Sequence, residues 1–287
     1  MLTTRTDPIA RSFLVGCPRS GTTLLQSMLF AHPDVFSCPE TFFFVRALNL
    51  EGRRHRLGFA AEGAPEACRA VVALGLADRV PREGPLPRTE AAYARWFTRA
   101  LDTATRNAGK RLWVEKTPTH LPRIAEIARL IPRARFIHMV RAGAPTVASL
   151  YQVTREYPEQ WHGARDLETC AARWSRDVAY SAGYAGQPGH VFVSYERLVS
   201  NPLEVISALC VALGLTHDDG TVGAMIAGYA DRADRIRVDE PWKQGTATAL
   251  VNRNADRLQT VFDETQRLRL DQLLAAAERR RAALPFL

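Results

Sequence analysis

The chain has 287 residues, 46% of them apolar and 24% charged, and a net charge of +8. That apolar share supports a full core and excludes a disordered chain, a collagen-like fibre and a membrane-embedded protein. Only Lys110, Lys116 and Lys243 are lysines, and the arginines lie along the whole chain among acids, which favours anionic ligands in general and names none.

The eleven residues ahead of Ser12 are too short for a secretory leader and carry Asp7 before any apolar run. No apolar run reaches membrane length, so a soluble, cytoplasmic protein is expected. Cys17, Cys38, Cys68, Cys170 and Cys210 form no C-x-x-C pair and no metal-ligand spacing, the pattern of reduced thiols.

Residues 12–16 are a short apolar run ending in Gly16, which fits a buried strand. Leu24, Leu25, Met28 and Leu29 give residues 21–31 helical spacing, and His32-Pro33 stops that helix. Strand, glycine loop and helix in this order open a nucleotide-binding βα unit. Residues 40–110 lack strand signals and carry helical stretches near 64–80 and 89–107, so a helical insertion covering the sheet is expected. Strand patterns return at 111–114 and 135–140, with a helix at about 120–130 between them. A helix starting at Pro145, a long helix over 166–184 and a strand over 190–195 follow. The remainder is mostly helical apart from residues 236–254, and the Ala/Arg-rich stretch 275–281 reads as a solvated amphipathic helix. Alternating strands and helices predict one α/β domain over residues 1–287, a P-loop-like parallel sheet flanked by helices.

The strongest motif is Gly16-Cys17-Pro18-Arg19-Ser20-Gly21-Thr22-Thr23, a G-x-x-x-x-G-x-[ST] frame. Glycines let backbone N–H groups turn inward, and the helix N-terminus faces the anion with partial positive charge. The lysine that reaches the outer phosphates of a triphosphate is Thr22 here. No later strand ends in an aspartate for Mg²⁺: one ends in Val140-Arg141, another in Tyr195-Glu196. The loop therefore suits a phosphate-like group without the triphosphate–magnesium apparatus, and its cation is Arg19.

Cys17 to Leu25, Cys-Pro-Arg-Ser-Gly-Thr-Thr-Leu-Leu, resembles the 5′-phosphosulfate loop of sulfotransferases that use 3′-phosphoadenosine 5′-phosphosulfate (PAPS). The continuation through Ala31-His32-Pro33-Asp34-Val35 to Pro39-Glu40-Thr41 is similar to the tyrosylprotein sulfotransferase branch and related bacterial enzymes. The block Met139 to Tyr151 resembles the family's 3′-phosphate motif, with Arg141 and Ser149 eight residues apart. Glu115-Lys116-Thr117-Pro118 and Val193-Ser194-Tyr195-Glu196-Arg197-Leu198 match two further landmarks. The likeness runs from about residue 12 to 215; residues 42–110 and 216–287 match loosely.

The resemblance implies PAPS as donor, 3′,5′-adenosine bisphosphate (PAP) as product and no metal. It implies that Arg19, Ser20, Gly21, Thr22 and Thr23 hold the 5′-phosphosulfate, that Arg141 and Ser149 bind the 3′-phosphate, and that Tyr195 lies near the nucleotide. A half-buried strand tyrosine is an equally good account of Tyr195. Glu40 is the candidate general base; the competing role is an acid at a helix start. Lys116 is the candidate for neutralising charge between donor and acceptor. His120 is the runner-up base, because Lys116-Thr117 with His120-Leu121-Pro122 is similar to a Lys-Thr-His-Leu-Pro motif with the histidine displaced. A helix-start role suits His120 better. Trp242 and Lys243 lie where a closing nucleotide loop belongs but do not match its usual Arg-Lys-Gly pattern.

The helical insertion at about 42–110 is expected to cover the acceptor side. A small-molecule or secondary-metabolite acceptor bearing a hydroxyl or amine is expected, with neither nucleic acid nor membrane as partner. The other readings are a P-loop small-molecule kinase and a non-catalytic nucleotide- or nucleic-acid-binding protein. Affinity for ATP–Mg²⁺ distinguishes the first and salt-dependent DNA binding the second.

Overall fold

Five apolar runs become strands: β1 (Ala10–Gly16), β2 (Val35–Ser37), β3 (Leu112–Lys116), β4 (Arg135–Val140) and β5 (His190–Ser194). The computed structural model describes residues 8–80, 89–230 and 254–287. All strand pairs are parallel, in the order β2-β3-β1-β4-β5. A parallel sheet is covered on both faces, which is why its inner strands read as unbroken apolar runs.

The helices are α1 (Thr22–Ala31), α2 (Phe43–Ala47), α3 (Gly52–Arg56), α4 (Ala64–Ala73), α5 (Glu90–Asn107), α6 (Ile124–Leu130) and α7 (Gly143–Glu156). They continue with α8 (Leu167–Ala182), α9 (Tyr195–Ser200), α10 (Pro202–Leu213), α11 (Asp219–Ala227), α12 (Asn254–Val261) and α13 (Glu264–Ala282). On one face Phe13, Trp113 and Phe136 pack with Phe43, Phe44 and Phe97 of the helical insertion. On the other, Leu14, Val114, Ile137 and Val193 pack with Leu25, Met28 and Leu29 of α1 and Ile206 and Leu209 of α10. A third cluster joins α7, α8 and α13 around Trp174, Val147 and Leu274.

β1 lies between β3 and β4, so the chain leaves it first to one side and later to the other. The carboxyl ends of the strands at such a reversal are where open α/β sheets bind ligands. Gly16, Lys116, Val140 and Ser194 all stand at those ends.

Several expectations are corrected. The three-residue strand β2 is too short to leave an alternating pattern, and α2 and α3, five residues each, are below the length at which helical periodicity is visible. The expected helix at 64–80 stops at Ala73, and Gly75 follows with φ +69°. Residues 118–123 form a 3₁₀ turn, with Pro118 and Pro122 in it, before α6 begins. α7 starts at Gly143, two residues earlier than the Pro145 signal, and Pro145 still sits in the first turn where its missing N–H costs nothing. The 275–281 stretch is helical and mostly exposed, as expected, and buries Ala277, while Leu270 and Leu274 earlier in α13 are buried and Leu287 N–H donates to Phe192 O at 3.1 Å, covering the edge of β5. All five cysteines are free and buried. Among the described residues no helix is long and apolar enough to cross a membrane.

His138 of β4, paired beside Val15 of β1, is fully enclosed. Its ring stacks on Phe192 at 4.5 Å, Nε2 lies 3.0 Å from His190 Nδ1 and Nδ1 lies 3.2 Å from Ser181 Oγ. Burial, helped by His190, pushes His138 down to about 3, and burial pushes His190 down to about 4. Both are neutral in the fold but protonate near 6.5 in an unfolded chain. Stability is therefore full above about pH 6.5 and is lost as pH falls toward 4, by about 1.4 kcal/mol per pH unit for His138. Urea midpoints of wild type and His138→Phe between pH 7.5 and 4.5 check this. The variant is expected to have the flatter profile; equal slopes would mean that the fold does not hold His138 neutral.

Candidate active site

The loop after β1 is built on unusual backbone. Arg19 is left-handed at φ 73° although it carries a side chain, and Gly21 has φ 95°. Such strain at a non-glycine residue concentrates at functional sites. A Cβ on Gly21 would lie 2.5 Å from the Tyr195 ring. No side chain caps α1 at Gly21, whereas Thr89, Asp166, Asp218 and Asp263 cap α5, α8, α11 and α13. The first N–H groups of α1 are thus presented at the loop, the arrangement that binds anions. Ser20 is buried, and its hydroxyl donates to Met139 O at 3.2 Å. That bond fastens the loop to β4.

Arg19, Arg141, Ser149 and Tyr195 come together although up to 176 residues separate them in the sequence. Arg19 Nε donates to Ser149 Oγ at 3.1 Å, and Arg141 Nη1 donates to Arg19 O at 3.2 Å. The Arg141 guanidinium lies over the Tyr195 ring, 4.2 Å from its centroid, which orients the cation without neutralising it. Tyr195 is the first residue of α9 rather than a strand residue.

A second group sits beyond the ends of β2 and β3. Lys116, 1% exposed, donates to Glu40, 12% exposed. Lys116 Nζ also lies 3.4 Å from Thr23 Oγ1. The ammonium thus bridges the carboxylate and the first turn of α1. Thr22 is buried and Thr23 half-buried.

His120 does not join this group. It is fully buried; its Nε2 accepts from Phe44 N–H at 3.2 Å, so Nδ1 carries the proton and donates to Glu115 Oε2 at 3.1 Å. With both nitrogens occupied inside the core, the base role considered for His120 has no geometric support. The 3₁₀ turn carries the ring inward, away from Lys116. Trp242 and Lys243 lie outside the described residues.

Glu115 has no role of its own in the sequence analysis, yet it fastens the segment leading into α2. Its Oε1 accepts from Thr41 N–H at 3.3 Å, Thr41 Oγ1 at 2.8 Å and Thr117 Oγ1 at 2.7 Å. Burial alone would raise this carboxyl, but pairing with His120 and the hydrogen bonds from His120, Thr117 and Thr41 hold it below its ordinary value. The available signal was a glutamate inside an otherwise apolar strand, which must be paired to be buried.

The loop thus touches both groups, through Arg19 to Ser149 and Arg141 and through Thr23 to Lys116, which in turn holds Glu40. Among the described residues no cluster of three or more His, Cys, Asp or Glu is placed to hold a metal ion.

A family model described as "Sulfotransferase family" matches residues 12–219. The chain is 29% identical over 210 residues to Protein-tyrosine sulfotransferase 2 of Gallus gallus, covering 72% of this chain and 52% of that protein. It is 30% identical over 221 residues to Nodulation protein NoeE of Sinorhizobium fredii, covering 70% and 49%. The chain spans about half the length of these curated relatives. Two solved structures share the fold. The sulfotransferase domain from the Synechococcus PCC 7002 olefin synthase has a TM-score of 0.60 at 23% identity, covering 97% of both chains. Mouse sulfotransferase SULT7A1 complexed with PAP has a TM-score of 0.59 at 12% identity, covering 95% of this chain and 86% of that one.

Proposed function

The chain belongs to the sulfotransferase family, and on that premise we propose that it moves a sulfuryl group from PAPS to a hydroxyl or amine of a small-molecule acceptor. The observation that carries this reading is the convergence of Arg19, Arg141 and Ser149 beside an uncapped helix start. Such a cluster of cations and hydrogen-bond donors suits an anionic ligand. The Glu115 oxygens at the end of β3 are taken up by Thr41, Thr117 and His120.

In this reading Arg19 and the N–H groups of Gly21, Thr22 and Thr23 hold the 5′-phosphosulfate. Arg141, steadied on Tyr195, and Ser149 take the 3′-phosphate. When bound, PAPS supplies an activated sulfuryl group on a phosphate leaving group. Glu40 accepts the proton of the attacking hydroxyl as the new S–O bond forms and the S–O bond to phosphate breaks. Lys116, between Glu40 and Thr23, stabilises charge developing on the leaving phosphate. Positioning and electrostatics do the rest, as in phosphoryl transfer.

PAP is expected to raise the melting temperature well above the effect of ATP–Mg²⁺. At a hundredfold excess over Kd the stabilisation is about 2.7 kcal/mol, or roughly 5–10 °C for a chain of this size. Differential scanning fluorimetry with both ligands checks it. A larger shift with ATP–Mg²⁺ would favour the kinase reading.

A further inference from the structure

The turn that carries Arg141 is held from three directions. Its own carbonyl accepts from Trp174 Nε1 of α8 at 3.1 Å. The Ala142 N–H donates to Glu196 Oε1 of α9 at 3.0 Å. The Gly143 N–H donates to Glu278 Oε1 of α13 at 2.6 Å. Arg281 ties the two carboxylates together: its Nε lies 2.6 Å from Glu278 Oε2 and its Nη1 3.8 Å from Glu196 Oε2. Ser194 Oγ also donates to Glu196 Oε2, at 3.1 Å.

Packing closes the same spot. A Cβ on Gly143 would lie 2.8 Å from Leu274 Cδ1 and 2.9 Å from the Trp174 ring. Two backbone N–H groups at the start of α7 are thus spent on protein carboxylates, which complement the helix dipole there. Anion recognition here falls to side chains, and Arg141 must be aimed by its backbone. α13 lies wholly beyond residue 219, where the family match ends.

We propose that Glu278, bridged through Arg281 to Glu196, is a positioning residue that sets the Arg141 turn and thereby the affinity for the donor's 3′-phosphate. This rests on the proposed donor reading. The anchorage of α13 is independent of the bracket: Leu270 and Leu274 are buried, and the following residues reach β5 through Leu287. Loss of the Glu278 carboxylate therefore loosens the turn without releasing the helix.

The test compares PAP with adenosine 5′-phosphosulfate, which lacks the 3′-phosphate, by calorimetric titration of wild type, Arg141→Ala, Glu278→Ala and Glu278→Gln. Wild type is expected to prefer PAP, and Arg141→Ala to lose most of that preference. Glu278→Ala is expected to weaken PAP about tenfold while leaving adenosine 5′-phosphosulfate within twofold, a charge-assisted hydrogen bond being lost at one remove. Glu278→Gln keeps an acceptor for Gly143 N–H and is expected to fall between the two; it also stands in should Glu278→Ala fail to fold. In turnover the effect should appear in the donor KM and not in kcat. A full PAP preference in both Glu278 variants, or equal losses for both ligands, overturns the proposal. A wild type without any preference for PAP overturns the donor reading first, and the proposal with it.

Discussion

Glu40→Gln is expected to keep the fold, to leave PAP affinity within a few-fold and to lower kcat by about 10²–10⁴. The amide has nearly the same shape and retains an oxygen for Lys116 Nζ, so the contact that places residue 40 survives. What disappears is the carboxylate that can take a proton. The loss should be smaller with phenols than with aliphatic alcohols, because a more acidic acceptor needs less help. His120→Asn supplies the contrast. Its ring holds Phe44 N–H and Glu115 in the core, so this variant should lose stability, typically 1–3 kcal/mol for a disrupted buried hydrogen bond. Its turnover should remain near that of wild type while it is folded. Single-turnover transfer by both variants with one confirmed acceptor decides the matter. An active Glu40→Gln beside a folded but inactive His120→Asn would move the base to the histidine.

Lys116→Met is expected to lower kcat by about 10²–10³ with a smaller rise in the donor KM. Methionine preserves the length and apolar bulk of a side chain that is almost wholly buried. It removes the ammonium that spans Glu40 and Thr23. Because that ammonium touches both the proposed base and the donor loop, the Lys116→Met and Glu40→Gln losses should combine less than additively. Pre-steady-state kinetics on the two single variants and the double variant measure the coupling. Strict additivity would show that the two side chains act on the reaction independently and would detach Lys116 from the base.

The fold was legible where sequence carries long periodic signals. β1, α1, β4 and α8 were placed by apolar runs and by glycine or proline at their ends, and the parallel sheet followed from their alternation. β2, α2 and α3 were not, since three or five residues cannot display a period. The site was legible in pieces. Glycine and arginine at 16–21 stood out by local spacing, and arginine and serine at 141 and 149 by resemblance to the family's 3′-phosphate motif. That Arg19 reaches Ser149 across 130 residues is a product of the β1–β4 pairing, which no local pattern contains. His120 drew attention through its nearness to Lys116 in the chain. The 3₁₀ turn between them, with prolines at 118 and 122, then buries it. Glu278 was invisible for the opposite reason: its partner Gly143 lies 135 residues away, and an isolated glutamate in an arginine-rich helix resembles any solvated acid.

Successive side chains of a strand point to opposite faces, and the last two residues of β3 use this fully. Lys116 turns toward the loop and the chemistry, while Glu115 fastens Thr41 and His120 and, through His120, the start of α2. The protein is thus divided along one strand end into a fixed half and an exchangeable half. Everything from Glu40 back to the loop is set by the sheet. The helices from Phe43 to Asn107 are held by Glu115, by Asp102 with Arg11 and Trp113, by Glu90 with Arg129, and by a wall of aromatic rings. A library that redesigns those helices, while keeping Asp102 and residues 37–41 and 112–120 unchanged, has a natural seam to follow.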